Sequence, residues 1–248
     1  MGIIDILLER LESRLGERET VAVRVGLGYT GVVLDDGSMG VAYTFRHRTG
    51  PGCTVLPEAG ALGGNALELA RLARSEHVVE AAIGLAAVNA AAARGAEGSS
   101  GDVLDNIRLE DGDRIGMVGF FGPVVQRLKG KDLTIFETEE GSRPGTVPAD
   151  AQAELLPQMD VVILTSTSLI NHTADGILAH CANAREVVML GPSTPLFPDA
   201  FSGTPVTLLA GMVVEDTGRA LEIIGQGGGT RLLGKISRKV NVRNCLAV

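Results

Sequence analysis

The stretch DRIGMVGFFGPVVQRLKG, residues 113–130, predicts a strand, a glycine turn and a helix in succession. Ile115, Met117 and Val118 supply the apolar run of a buried strand. Pro123 stands near the first helical turn, where proline is tolerated. A buried strand that turns through glycines into a helix is the entry unit of a doubly wound α/β sheet.

The glycines of this stretch, at 116, 119 and 122, are spaced G-x-x-G-x-x-G, whereas the dinucleotide fingerprint is G-x-G-x-x-G. Two interpretations stay open. The turn holds a ligand with its backbone, or its glycines only let strand and helix pack closely.

Strands and helices alternate through the rest of the C-terminal part. The predicted strands are 133–138, 160–168, 186–190 and 205–211, and the predicted helices are 149–156, 173–182 and one that opens near 217. This alternation implies a mostly parallel sheet covered on both faces.

The first part of the chain predicts a small α+β unit. A helical stripe of apolar residues runs from Ile3 to Leu15, and Asp36-Gly37 is a strong hairpin turn. The predicted strands are 21–25, 32–34 and 41–45, and the helices 65–75 and 77–93 follow a Gly- and Pro-rich loop at 46–64. The joint RGAEGSSGD at 94–102 predicts two domains, 1–98 and 99–248.

Composition limits the partners. The net charge is -8, the pI about 5.1, and aromatic residues make up 3% with no Trp, so nucleic acid is not expected. No apolar run is long enough for a membrane helix, and the acidic N-terminal helix differs from a signal peptide. Cys53, Cys181 and Cys245 are odd in number and far apart, which argues against a disulfide framework. We therefore expect a cytoplasmic protein.

Five segments, in their order along the chain, resemble the DUF364/DUF4213 proteins, described as a putative heavy-metal chelation family. They are AAIGLAAVNA (81–90), MVGFFGPVV (117–125), DVVILTSTSLINHT (160–173), VVMLGPSTPLFP (187–198) and GMVVED (211–216). The resemblance implies an enolase N-terminal-like domain joined to a Rossmann-like domain, with a site in the cleft between them. Thr165-Ser166-Thr167 departs from the T-G-T-like loop expected there, and the added side chain alters what fits against the backbone.

The loops after the predicted strands carry the candidate ligand residues, because ligands of open α/β sheets bind outside the carboxyl ends of the strands. In chain order these are Gly119, Phe120, Gly122, Glu137, Thr138, Glu139, Thr165, Ser166, Thr167, Asn171, His172, Gly191, Pro192, Ser193, Thr194 and Gly211. Their hydroxyls, amides and carboxylates suit a small polar ligand with carboxylate or phosphate groups.

Two of these groups have alternative interpretations. Glu137 follows Gly119 at about the interval at which an acidic residue meets ribose in dinucleotide folds, but it also fits an ordinary solvated carboxylate. The polar loop from Thr165 onward favours a site, but it also supplies helix caps, with Asn171 or Thr173 as the N-cap.

Metal ligands are not arranged in any standard spacing around the four histidines, His47, His77, His172 and His180. His180 and Cys181 are adjacent on a predicted helix and point about 100° apart, so they do not readily share one ion. A transition metal would thus arrive inside an organic chelate, or be held by cleft oxygens and one histidine, either His172 or His47. The alternatives are a surface histidine beside a cap for His172, and a solvated or anion-facing loop for His47.

Two functions remain open. One is a protein that binds or handles a small anionic metabolite or metal chelate, with Arg46, Arg48 or Lys235 pairing its carboxylates. The alternative is a transferase or synthase that uses a nucleotide-like cosubstrate to make a metal-chelating molecule. The small-residue helix at 80–93 suits either a core helix or the interface of a homodimer, and loop 46–64 is long enough to close over a site.

Overall fold

The computed structural model describes residues 1–50, 54–57 and 59–245. The helices are α1 (Ile3–Arg10), α2 (Glu12–Gly16), α3 (Ala66–Ala70), α4 (Val78–Ala93), α5 (Gly122–Arg127), α6 (Gln152–Leu155), α7 (Ala174–Leu178), α8 (Thr217–Gly225) and α9 (Thr230–Leu233). The strands are β1 (Glu19–Val25), β2 (Tyr29–Leu34), β3 (Met39–Tyr43), β4 (Gly64–Asn65), β5 (Arg114–Val118), β6 (Asp132–Glu137), β7 (Val147–Pro148), β8 (Val161–Thr165), β9 (Glu186–Leu190), β10 (Leu208–Val214) and β11 (Ser237–Arg243).

The N-terminal sheet is antiparallel and has the order β3-β2-β1-β4. Gly37, with φ +81°, turns the chain from β2 into β3, as the Asp-Gly pair predicts. Helix α4 lies close against β3, because a side chain at Gly40 would collide with the backbone of Ala86 and Ala90. Almost every residue of α4 is buried, so this helix is a core element and does not present the oligomer surface that its small residues also suggested. The homodimer itself stays a prediction.

The C-terminal sheet is parallel except at β11, which runs antiparallel to β10. Its order, β11-β10-β9-β8-β5-β6-β7, is that of a doubly wound fold. Strands β5, β6 and β7 are added toward one edge and β8, β9 and β10 toward the other, so the strand order reverses between β5 and β8. The predicted fold class, a small α+β part followed by a mostly parallel Rossmann-like sheet, is confirmed. Ligands of such sheets bind at this reversal point.

A buried polar contact joins the two sheets. The side-chain Nδ2 of Asn89, in α4, donates to the carbonyl of Val41 at 2.8 Å and to that of Ser193 at 3.0 Å. The Ser193 hydroxyl in turn accepts the main-chain N–H of Tyr43 at 2.9 Å. The end of β3 is therefore held against the loop after β9. No helix in the described part of the chain is both long and apolar enough to cross a membrane.

Several predicted elements differ in extent. The first helix is broken at Leu11 into α1 and α2. The helix predicted at 149–156 contains the short α6 with a 3-10 turn before and after it, and Pro157 lacks the N–H that would extend α6. The strand predicted at 205–211 begins at Leu208 and continues to Val214. Two differences concern the helices predicted at 65–75 and 173–182, where α3 passes into a 3-10 turn and α7 spans only Ala174–Leu178.

Candidate functional site

A cavity of about 480 Å³ opens at the reversal point of the C-terminal sheet. Its walls come from the carboxyl ends of β5, β6 and β8, and from the chain that leaves β3 of the N-terminal sheet. The lining residues are Tyr43, Phe45, His47, Val118, Gly119, Phe120, Phe136, Glu137, Thr138, Gly141, Arg143, Ala149, Gln152, Thr165, Thr167, Ser168, Asn171, Thr173 and Ile177.

The glycine turn after β5 forms part of the cavity wall. Gly119 adopts φ +87°, and its N–H donates to the carbonyl of Phe136 at 3.0 Å. A Cβ at Gly119 would lie 3.0 Å from the Cβ of Thr165, so the turn packs tightly against the end of β8. Close packing of the backbone thus explains this glycine, and a direct ligand role for it stays a prediction.

Glu137, the last residue of β6, turns its carboxylate into the cavity wall. Burial raises the pKa of this carboxyl, although hydrogen bonds from the main-chain N–H groups of Phe120 and Thr138 and the charge of Arg143 work in the opposite direction. A Cβ at Gly141 would overlap the Glu137 carboxylate, so the next loop also closes around it. Glu137 is therefore a half-buried, hydrogen-bonded carboxyl and not a freely solvated one.

Arg143 is the cationic group that the sequence analysis missed. It lies in the loop after β6, and its guanidinium carbon stands 4.3 Å from the centroid of the Phe120 ring. The strand-end rule pointed to this loop, but only residues 137–139 were considered. Tyr43, Phe45 and Gln152 also line the cavity without having been predicted, and the first two come from the other sheet, which no local pattern links to this one.

The Thr165–Asn171 loop combines a cavity wall with local capping. The Thr165 hydroxyl lies 3.0 Å from that of Thr167 and accepts its N–H, so it caps the 3-10 helix over Ser166–Leu169. Asn171 accepts the Thr173 hydroxyl at 2.8 Å through Oδ1. Thr173 occupies the N-cap position of α7 but makes no side-chain cap hydrogen bond. Thr165, Thr167 and Asn171 all line the cavity.

Other predicted ligand residues lie outside this lining, namely Gly122, Glu139, Ser166, His172, Gly191, Pro192, Ser193, Thr194 and Gly211. Ser193 serves the contact between the sheets, and Thr194 donates its hydroxyl to the carbonyl of Ala210. The Ser166 hydroxyl is buried, faces Gly191 and has no hydrogen-bond partner among the described residues.

The three cations proposed from the sequence are also outside the lining. Arg46 and Arg48 form a 3-10 turn beside the cavity, where Arg48 stands over the Phe45 ring at 5.8 Å. Lys235 lies in the turn before β11. Residues 51–53 and 58 of loop 46–64, and with them Cys53, lie outside the described residues.

The two histidines considered as metal ligands have different surroundings. His47 lines the cavity, whereas His172 adopts φ +59° and its Nε2 lies 2.8 Å from the carbonyl of Ser75. Among the side chains that the structure describes, no three of the His, Cys, Asp or Glu types are grouped to hold a metal ion.

Two family models match the chain, DUF4213 over residues 8–92 and DUF364 over 102–243, both described as "Putative heavy-metal chelation". "Uncharacterized protein MJ0500" of Methanocaldococcus jannaschii is 30% identical over 182 residues, which cover 71% of this chain and 70% of that protein.

Two solved structures share the fold. A DUF364-family protein of unknown function from Pyrococcus horikoshii superposes with a TM-score of 0.87 at 25% identity, covering 98% of this chain and 100% of its own. A second, from Desulfitobacterium hafniense, has a TM-score of 0.82 at 25% identity and covers 98% of both chains.

Proposed function

Because the chain belongs to the DUF364/DUF4213 family, described as putative heavy-metal chelation, we propose that it binds a small anionic metal chelate in the cavity between its two sheets. The division into domains 1–98 and 99–248 is part of this proposal, since the cavity then lies between them. The metal is the cargo, and an organic molecule supplies most of its ligands.

One observation carries the proposal. The cavity has the volume of a small-molecule site and its lining is polar and aromatic, but no group of three metal-ligating side chains occurs in the described residues. A lining of this kind can hold the organic part of a chelate by hydrogen bonds and charge. It offers a bare metal ion too few donors.

Named residues have distinct tasks in this proposal. Arg143 pairs with a carboxylate of the chelator, since a guanidinium donates two parallel hydrogen bonds to such a group. Asn171 and Thr167 hold further oxygens of the ligand, because the Asn171 Nδ2 has no partner in the described structure. His47 is placed to complete the shell of the metal from the rim of the cavity.

The alternative, a nucleotide-using transferase or synthase, is not favoured. The main-chain N–H of Phe120 in the glycine turn already faces the Glu137 carboxylate and lowers the pKa of that carboxyl. A phosphate would need that N–H and would meet the negative charge of Glu137.

The test starts from a native mass spectrum of the purified full chain, in which an excess mass identifies any retained chelate. Calorimetric titrations then use Ni²⁺ alone, Ni²⁺–citrate and the Ni²⁺ complex of pyridine-2,6-dicarboxylate. We expect at least one complex to bind and free Ni²⁺ to bind far more weakly. Binding of free Ni²⁺ as tightly as either complex, or binding of neither complex, would overturn the proposal.

A matched pair of variants locates the binding. Arg143→Gln should weaken binding of the complex by at least about tenfold, because the variant loses a charge-assisted hydrogen bond to the chelator. Arg14 is the control, because its guanidinium also stands over an aromatic ring, that of Phe197 at 5.3 Å, outside the cavity. Arg14→Gln should therefore leave the affinity unchanged.

A further inference from the structure

Aromatic side chains are concentrated in the cavity. The chain has six Phe, two Tyr and no Trp, and three of these eight residues, Tyr43, Phe45 and Phe120, line this one cavity while remaining partly exposed; a fourth lining residue, Phe136, is fully buried in the core. In a protein with so few aromatic residues, this clustering gives the cavity flat apolar surfaces that an aliphatic ligand does not need.

The rings are also fixed in position. Tyr43 and Phe45 meet edge to face with centroids 5.1 Å apart, and Tyr29 supports Tyr43 from behind in the same geometry at 6.0 Å. Phe120 follows Gly119, whose N–H donates to the carbonyl of Phe136 at 3.0 Å, so the backbone of this turn is held. The aromatic walls are therefore in place before any ligand enters.

The guanidinium of Arg143 packs on one of these rings, that of Phe120. Arg143 stands over the Phe120 ring at 4.3 Å; its charge acts on Glu137, but no carboxylate whose side chain the structure describes forms a salt bridge with it. A guanidinium that stands over an aromatic ring still has N–H donors for a carboxylate. A carboxylate attached to a second ring beside Phe120 would lie in reach of these donors.

We infer that the ligand is an aromatic carboxylate chelator, a planar ring of the pyridine- or phenol-carboxylate class that presents its metal beside the ring. This inference rests on the proposed function and narrows its ligand. Phe120, with Phe45 and Tyr43, contacts the ring, and Arg143 binds the carboxylate.

The test compares two chelates of the same metal and similar charge. Titrations of the full chain with the Ni²⁺ complex of pyridine-2,6-dicarboxylate and with Ni²⁺–citrate should show the aromatic complex binding at least about tenfold more tightly, because ring stacking adds to the shared carboxylate contact. Phe120→Leu should reduce the affinity for the aromatic complex by about three- to tenfold and leave that for citrate unchanged.

The control is Phe197→Leu, which also removes a ring beneath an arginine but lies outside the cavity, and it should change neither affinity. A citrate complex that binds as tightly as the aromatic one, with Phe120→Leu having no selective effect, would overturn this inference and leave the proposed function standing. Binding of neither complex would overturn both.

Discussion

The main-chain N–H of Gly119 donates a hydrogen bond to the carbonyl of Phe136 at 3.0 Å, so the turn after β5 is tied to the end of β6, where the Glu137 carboxylate faces the N–H of Phe120. In dinucleotide-binding folds the turn N–H groups face a phosphate and the acidic residue faces ribose. Here Glu137, at the end of β6, faces the N–H of Phe120 in the turn. The Glu137 carboxylate thus takes the place that a ligand anion would have at this turn. The groups that remain to contact a ligand in the cavity include Arg143 and the aromatic rings.

Replacement of Glu137 by Gln tests this pairing. Burial raises the pKa of Glu137, so ionisation of this carboxyl is less favourable in the folded than in the unfolded protein. Glu137→Gln removes that charge and should raise the Tm at pH 7. As the pH falls through the raised pKa the wild-type carboxyl takes up a proton and the difference should shrink, since both proteins then carry a neutral side chain.

Thermal unfolding by circular dichroism between pH 4 and 7 measures both Tm values. Glu154→Gln, which alters an exposed carboxylate, should leave the Tm unaltered across this range. A lower Tm for Glu137→Gln at pH 7 would show that the two N–H groups favour the charge more than burial opposes it.

Gly119 and Gly130 separate backbone strain from packing. Their φ angles are +87° and +88°, but a Cβ at Gly119 would press on Thr165 whereas a Cβ at Gly130 would meet no atom within 4 Å. Gly130→Ala should cost only the left-handed backbone penalty, roughly 1–2 kcal/mol of unfolding free energy. Gly119→Ala should cost more, because the end of β8 must also move, and urea unfolding of both variants measures the difference. Equal losses of unfolding free energy in the two variants would mean that Thr165 can move away from the added Cβ without an energetic cost.

Much of the fold was predictable because its patterns are local. The β9 strand, Glu186–Leu190, was predicted with the bounds found, since a short apolar run between polar ends has few other solutions. Strand β11 was missed because Ser237–Arg243 carries three basic residues and has its apolar side chains only at 240 and 242. Its pairing with β10 is a long-range contact, and a sequence of this kind does not predict it.

The candidate site was only half predictable for the same reason. The strand-end rule pointed to Gly119, Glu137 and Thr165, which the structure brings to one cavity. It also pointed to the loop after β9, but there Ser193 turns to the N-terminal sheet and binds Tyr43. Arg143 was missed because its contact with Phe120 depends on how a loop folds back.

Asn89 should be a main determinant of how the two sheets are held together. Its buried amide donates to carbonyls in β3 and in the loop after β9, so Asn89→Ala leaves two buried acceptors unpaired and should lower the unfolding free energy by about 2 kcal/mol or more. Asn183→Ala removes a single exposed hydrogen bond, to the carbonyl of Pro157, and should cost less than about 1 kcal/mol. Urea unfolding of the two variants side by side gives both values, and similar losses would deny Asn89 this role.

Cys181 should be chemically inert in the folded protein. It is buried in the core, its Sγ lies 3.2 Å from the carbonyl of Ile177, and burial raises its pKa to about 12. At pH 8 only about one thiol in ten thousand is then ionised, and the thiolate is the reactive form. In a Cys53→Ser background, a disulfide reagent such as DTNB should therefore modify one thiol quickly, the exposed Cys245, and the second only in denaturant. Rapid reaction of both thiols under native conditions would mean that the core around α7 opens to solvent far more often than its packing implies. A closed core keeps out DTNB and disfavours the charged thiolate of Cys181.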